Sequence, residues 1–528
     1  MSETRLFRDG RIFTGHRYVE AMLVEDGRIR TVGTLASVER ATPAGAEVER
    51  LSGRLVVPGL IDAHLHLGEA TRAREGFNLA EARSVADLVG RLAARSAVHP
   101  GGAVVGHGWD AERFADRRWP LAADLDRAVA DRPVVLYHAS GHAAVVNTAA
   151  LRAAGVDRAS SEPRNGRFGR TTDGRPDGRL FEGAMSSVTA LASDADLADP
   201  PALERTLELC ASFGLTTVAT MSTGPEEAGL LRGLAEVDRL PIRVRLYLRM
   251  SRLGEFPRPA LAPAGRPDRF AVLGTKGFTD GAFGPRTAWL SAPYTDLPSE
   301  EGMPVGTDEE LGGAIERSVK LGLAPALHAI GDRAVERAAR LLGPWTGQTR
   351  SPVRIEHAAL TPPASWPSME EAHPALVVQP GFVWSDHWLG ARLGPERARW
   401  GYAFRSLLGR GFLLAGSSDA PYDPLDPWRG IRAAVERSDP ASGRSANPSP
   451  GEALDPETAL RLYTVNGGRA LGTAVLGTLE PASRADFVVL DVPHLRGAVG
   501  RGAASVRETW VDGARVYRRR GGSPEETV

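Results

Sequence analysis

Residues 57–66 read Val57-Pro58-Gly59-Leu60-Ile61-Asp62-Ala63-His64-Leu65-His66. A short apolar run ending in charged and imidazole side chains is the pattern of a buried strand whose C-terminal end opens onto a site. His64 and His66 stand at i and i+2, and side chains two apart on a strand share a face. Two imidazoles so placed hold one metal ion or form a polar layer bonded to backbone carbonyls, and the motif by itself leaves both open.

Outward from this stretch, seven further apolar runs follow at 215–221, 242–249, 271–279, 324–329, 353–357, 375–380 and 412–418. Helix-like periods separate most of them, such as 201–213 (PALERTLELCASF) and 308–321 (DEELGGAIERSVKL). Alternating strands and helices with eight strand runs, counting 60–66, predict an α/β fold, a (β/α)8 TIM-like barrel over 56–471 with chemistry at the C-terminal strand ends. About 150 residues separate the first run from the second, so 70–200 is read as a large insertion lying over the barrel mouth. Two runs inside it, 103–106 and 133–137, compete for places in the barrel. Segment 159–183, dense in Gly, Asp and Arg, reads as loop or short hairpin.

Both chain ends have another texture. Asp9-Gly10 and Asp26-Gly27 are hairpin turn signals between short alternating runs, and 485–490 and 505–513 resemble them. Segments 1–55 and 472–528 together are expected to build one small β-sandwich domain. Its sheet edges make a homodimer the expected assembly.

Lys and Arg number 64 against 65 Asp and Glu, a formal net charge of −1, so no global field draws the chain to nucleic acid or anionic lipid. A single cysteine, Cys210, excludes an intramolecular disulfide or a thiolate cluster, so any metal must be held by nitrogen and oxygen. Residues 1–15 lack the basic start and apolar run of a secretion signal, and the chain has no apolar stretch of about 18 residues. The expectation is a cytoplasmic protein acting on a small molecule, with no nucleic-acid or membrane partner.

The later strands end in Lys276 to Asp280, His328 to Asp332, Glu356-His357 and Ser418-Asp419. Singly, a histidine is more often a satisfied core residue and a lysine or aspartate a solvated charge. Ionisable groups at so many strand ends converging on one face are much harder to dismiss.

These residues resemble a known family. VPGLIDAHLH (57–66), TKGFTDGAFGPRTAWLSAPY (275–294), LHAIGDRAV (327–335), RIEHA (354–358), VQPGF (378–382) and GSSDAPYDPLDP (416–427) are similar, in order, to the amidohydrolase superfamily. The likeness is to its YtcJ-like group, which includes N-substituted formamide deformylase, and it spans almost the whole chain. The resemblance implies that His64, His66 and Asp419 hold one metal and His328 and His357 a second, with Lys276 carbamylated on Nζ and bridging them. In the alternative, Lys276 stays unmodified and pairs with Asp280 or Asp419 in a one-metal site. Zinc is the first expectation for a divalent ion held by imidazole and carboxylate.

A pair of such ions lowers the pKa of a shared water, and Asp419 would accept its proton and pass it to the departing nitrogen. The implied activity is that of a metal-dependent hydrolase acting on a carbon–nitrogen bond other than a peptide bond. Lactone, ester or cyclic amidine hydrolysis on the same scaffold is the alternative, and a non-catalytic regulatory or binding protein a more distant one. Asp62 and Asp332 are candidate supports, Asp332 reading more simply as a helix cap, and Glu356 is expected to point away from its neighbour His357. Substrate contacts are expected from Trp109 and His142 in the insertion and from Phe283, Arg286, Trp384 and Trp388, with Trp428 nearby. His142, also a catalytic candidate, reads equally as a histidine bonded within the insertion, and large aromatics are more often core.

Overall fold

The computed structural model describes residues 4–519 except 164, 192–198, 263 and 267–268. All eight apolar runs form strands of one parallel sheet, in chain order: Leu60–Leu65, Leu215–Thr223, Arg243–Arg249, Phe270–Phe278, Ala324–Ala329, Arg354–His357, Ala375–Val378 and Leu414–Gly416. Strands apolar on both faces suit a sheet covered by helices outside and packed with side chains inside. The eighth strand returns to the first. Asp419 N–H donates to the His64 carbonyl and His66 N–H to the Ala420 carbonyl, each at 2.8 Å. Asp62 reinforces this seam, its carboxylate accepting from the backbone N–H of Ser418 at 3.1 Å and of His64 at 3.2 Å. The result is a (β/α)8 barrel.

The covering helices follow local rules. Asp308–Lys320 starts at Thr307, whose hydroxyl accepts from Glu310 N–H (3.2 Å) while the Glu310 carboxylate accepts from Thr307 N–H (3.0 Å). That reciprocal cap satisfies donors a helix start leaves unpaired. Asp332–Leu342 buries Ala334, Val335, Ala338, Ala339 and Leu342, one face of a 3.6-residue period.

Two smaller sheets flank the barrel at the chain ends. A six-stranded sheet runs in the order Ala514–Arg518, Val506–Val511, Phe487–Leu490, Leu55–Pro58, Arg11–Phe13, Tyr18–Val19 and so mixes both ends. A four-stranded sheet, Arg28–Gly33, Ala21–Glu25, Thr4–Arg8 and Glu47–Arg50, uses the first end alone. They share a core in which Phe7 meets Phe487 and Trp510 at ring centroid distances of 5.0 and 5.4 Å. Gly59 carries the chain from this domain into the barrel, where a Cβ would lie 2.3 Å from Thr216 Oγ1. Arg243, at the start of the third barrel strand, is fully buried and forks onto Asp486 at 2.9 and 3.0 Å while also reaching Asp512.

The insertion is a folded α/β unit of its own. Its mixed six-stranded sheet runs Gly166–Arg170, Pro176–Glu182, Ala143–Val146, Val134–His138, Val104–Trp109, Phe77–Asn78. The two runs that compete for the barrel are adjacent parallel strands inside this sheet, Val104 opposite Val134. Helix Val85–Val98 packs on one face, and Gly166–Arg170 with Pro176–Glu182 is the expected hairpin. The unit is tied to loops of the barrel mouth by Arg167 to Glu300 (2.9 Å) and Arg392 to Glu112 (2.6 Å). Among the described residues no helix is long and apolar enough to cross a membrane.

Candidate metal centre

At the C-terminal mouth, the first strand places His64 fully buried and His66 nearly so. The eighth strand brings Asp419 to them, its Oδ1 lying 3.1 Å from His64 Nε2 and 3.3 Å from His66 Nε2. The sixth strand brings His357, Nδ1 3.9 Å from Asp419 Oδ2. His64, His357 and Asp419 each offer one donor atom, all within 4.8 Å of one another. Asp419 (φ 58°) and His357 (φ 73°) both sit in left-handed backbone, a strain that the surrounding structure must hold in place at the two strand ends.

The outer nitrogens are spoken for. His64 Nδ1 faces Glu356 Oε2 at 2.5 Å, and His357 Nδ1 faces Gln379 Oε1 at 2.8 Å. A carboxylate or amide oxygen behind an imidazole sets its tautomer and turns the other nitrogen inward. Arg354 in turn forks onto Glu356 at 2.7 and 2.9 Å. Burial would push the Glu356 carboxyl up, but Arg354 and His64 more than offset it and hold it well below the carboxylate range. Sequence alternation expects Glu356 and His357 on opposite sides of the strand. The structure corrects this: successive left-handed residues His357 and Ala358 (φ 43°) break the pleat, so that His357 reaches the centre while Glu356 stands behind His64.

Among the described residues of this centre, two buried atoms remain without a hydrogen bond, Asp419 Oδ1 and His66 Nδ1. A carboxylate oxygen close to two imidazole nitrogens yet unaligned for hydrogen bonding is a donor set that a cation satisfies. Burial pushes the Asp419 carboxyl up and the surrounding imidazoles reverse this, holding it well below its ordinary value. Burial lowers His357 to about 3, which keeps the ring in the neutral form that binds metal. The residues present therefore fit a divalent ion.

Lys276 lies near the end of the fourth strand, buried, with Nζ 3.5 Å from His64 Nε2 and 4.8 Å from the centre of the Phe278 ring. No carboxylate lies within ion-pair distance of it among the described residues, so the pairing with Asp280 or Asp419 that the alternative reading called for does not form. Burial lowers its pKa to about 8 against the pull of Glu356 and Asp419. Asp280 instead accepts from three backbone N–H groups, of Gly331 (2.8 Å), Trp289 (2.9 Å) and Ile330 (3.0 Å). His328 meets His357 edge to face at 4.5 Å between ring centroids, but its Nε2 meets the Gly281 carbonyl at 2.9 Å. Asp332 accepts from Ser291 N–H at 2.9 Å, and so ties the loop after the fourth strand to the helix it begins.

A cavity partly open to solvent rises from this centre. Asp419, His357, His328 and Tyr422 form its floor, His142, His138 and Asp110 of the insertion one wall, and Phe283, Phe382, Asp386 and Trp388 another. His142 is therefore placed over the centre, 4.8 Å from His328 between ring centroids, and Nδ1 lies 2.9 Å from Glu182 Oε2. Phe283 and Trp388 also line the cavity.

The other expected contacts do not reach the cavity wall. Trp109 is core to the insertion, fully buried with Nε1 bonded to the Leu136 carbonyl at 2.8 Å. Arg286 pairs with Asp296 at 2.7 Å, and Trp384 lies under the Arg429 guanidinium, 5.1 Å away. Trp428 is fully buried and bonded to the Phe213 carbonyl. In each case apolar area or an ion pair has a nearer partner than the cavity offers. Sequence reasoning passed over Gln379, Tyr422, Glu182 and Asp386. Only Gln379 carried a signal, as a polar residue closing an apolar strand.

Imidazoles and a carboxylate gathered at the C-terminal mouth of a parallel barrel, backed by acceptors that turn them inward, define a metal-dependent hydrolase. By family the chain belongs to the amidohydrolases, whose family model matches residues 47–517. It is 31% identical to YtcJ of Bacillus subtilis (strain 168) over 94% of this chain and 96% of the relative. It is 29% identical to N-substituted formamide deformylase of Arthrobacter pascens, over 95% of each. A solved metal-dependent hydrolase from Pyrococcus horikoshii OT3 superposes with a TM-score of 0.77 at 29% identity, covering 94% of this chain and 99% of its own. The chain is an enzyme, a hydrolase of carbon–nitrogen bonds other than peptide bonds.

Proposed function

We propose that the enzyme hydrolyses the amide-type C–N bond of a small, partly apolar molecule, an N-substituted formamide being the first class to test. The observation that carries this reading is Asp419, whose Oδ1 is buried without a hydrogen bond between two imidazole nitrogens and whose carboxylate faces the cavity. The likeness to a formamide deformylase along the whole chain supports the choice of bond, and Phe283, Phe382 and Trp388 supply apolar wall for an N-substituent.

His64, His66 and Asp419 would hold one divalent ion and His357 and His328 a second, with zinc the first candidate for nitrogen and oxygen donors. Bound there, the ions supply Lewis-acid polarisation of a carbonyl and acidify a water. Asp419 takes the proton from the attacking water and delivers it to the departing nitrogen, because an amine leaves only once protonated. Lys276 is read as carbamylated: its neutral Nζ forms a bond to CO2 and releases one proton, which replaces a buried neutral amine with a carboxylate-like anion. Its burial, its lowered pKa and the lack of a carboxylate partner support that modification. His142 contacts the reacting amide from above.

The test is a panel of N-substituted formamides, longer acyl amides, cyclic ureas and lactones on metal-replete enzyme, with metal content measured on the same sample. Turnover of formamides above the other classes is expected. Preference for lactones would move the reading to ester-type hydrolysis, and absence of bound metal would end it.

A further inference from the structure

We propose that Glu182 is the positioning residue for His142, fixing its proton on Nδ1 so that Nε2 is presented to the substrate. His142 and Glu182 close the facing ends of two antiparallel insertion strands, one step beyond the Ala143 and Phe181 pair. Glu182 N–H donates to the His142 carbonyl at 3.0 Å. Their side chains meet as well, Glu182 Oε2 lying 2.9 Å from His142 Nδ1. An ionised carboxylate only accepts, so the nitrogen facing it carries the hydrogen. Nε2 has no protein partner among the described residues, and the ring lines the cavity above the centre.

The rest of Glu182 is held with equal care. Its Oε1 accepts from the Thr287 hydroxyl at 2.6 Å, and that hydroxyl accepts from Ala282 N–H at 3.0 Å. A Cβ on Gly281 would lie 2.1 Å from both Glu182 Oε1 and Thr287 Oγ1, so a glycine there is what admits the carboxylate. Glu182 itself sits at φ 49°, a left-handed conformation that a side chain adopts only when its surroundings demand it. One carboxylate thus connects a ring on the insertion to the loop after the fourth barrel strand, whose Gly281 carbonyl meets His328. The insertion then contributes chemistry to the centre and not shape alone. This rests on the hydrolase reading above, but its structural half can be tested without a substrate.

The experiment is nitrogen NMR of metal-replete enzyme labelled with 15N-histidine, with His142→Asn assigning the resonance, together with kinetics on the best amide of the panel. Wild type should show Nδ1 protonated. In Glu182→Gln the Thr287 hydroxyl keeps the amide oxygen, the amide NH2 faces Nδ1, and the proton should move to Nε2. In that variant kcat should fall by about 10- to 100-fold, with KM within about threefold and metal content unchanged. Glu182→Asp should recover part of kcat. A resonance still showing Nδ1 protonated in Glu182→Gln, or an unchanged kcat, overturns the proposal. A loss of metal in step with activity assigns Glu182 to architecture and overturns it equally. If Glu182→Gln does not fold, a wild-type ring with bare Nδ1 is enough to reject it. If no amide is turned over, the hydrolase reading fails while the NMR assignment still decides the tautomer.

Discussion

Glu356 Oε2 lies 2.5 Å from His64 Nδ1, joining the sixth barrel strand to the first beneath the metal centre. Glu356 also neutralises Arg354, which stacks 4.3 Å from the centre of the Tyr247 ring, so one carboxylate serves a ligand and a buried cation together. Glu356→Gln should therefore lower metal affinity by about 10- to 100-fold, as loss of a partner behind a ligand imidazole does. Leaving Arg354 without its counter-charge should cost about 3–5 kcal/mol. Metal retention against a graded chelator and urea unfolding of the metal-loaded protein read the two effects separately.

Asp419→Asn should keep the fold and lose turnover by about 100-fold or more, the range that general acid–base groups contribute. Circular dichroism and kcat on the same preparation check it, and an unimpaired variant would remove Asp419 from the proton path.

Gly141→Ala tests the cavity wall. Gly141 has φ +69°, and a Cβ there would lie 2.4 Å from the Tyr422 ring, whose hydroxyl donates to Glu69. The methyl group should push the ring out of place and lower kcat/KM by about 100-fold, the penalty of a misplacement near 1 Å. Metal content should stay at the wild-type level.

Burial raises Asp386 to about 7, helped by the nearby charges of Asp110 and Asp423. A carboxyl with a raised folded-state pKa binds more protons folded than unfolded, so its stabilising effect is complete below about pH 4 and lost as pH rises through about 7. Asp386→Asn removes the titration. Relative to wild type, the variant should gain stability between pH 5 and pH 8, read as the difference in urea midpoints at the two values.

Arg243→Met tests the joint between barrel and terminal domain. It leaves the buried Asp486 and the partly buried Asp512 without their shared guanidinium. Breaking a buried pair from one side should cost about 3–5 kcal/mol. The site lies at the other end of the strand, so kcat of the folded fraction should be unchanged, and differential scanning calorimetry with an activity assay checks both.

The barrel was legible in the chain because short apolar runs and intervening helical periods report on local backbone, and all eight strands fell on such runs. Ligand candidates were legible for the same reason, since a barrel site collects at strand ends. The insertion's sheet was hidden because two of its inner strands, Val104–Trp109 and Val134–His138, carry the same apolar texture as barrel strands. Periodicity does not say which sheet a strand joins.

By itself, then, the sequence determined the number and order of the barrel strands and the residue types at each strand end. Tertiary structure alone decided which nitrogen of His64 and His357 turns inward, that Glu356 backs His64, and that Trp109 and Trp384 belong to packing. The physical reason is reach: local propensity acts over a few residues, whereas Glu356 meets a partner 292 positions away through the closure of the barrel.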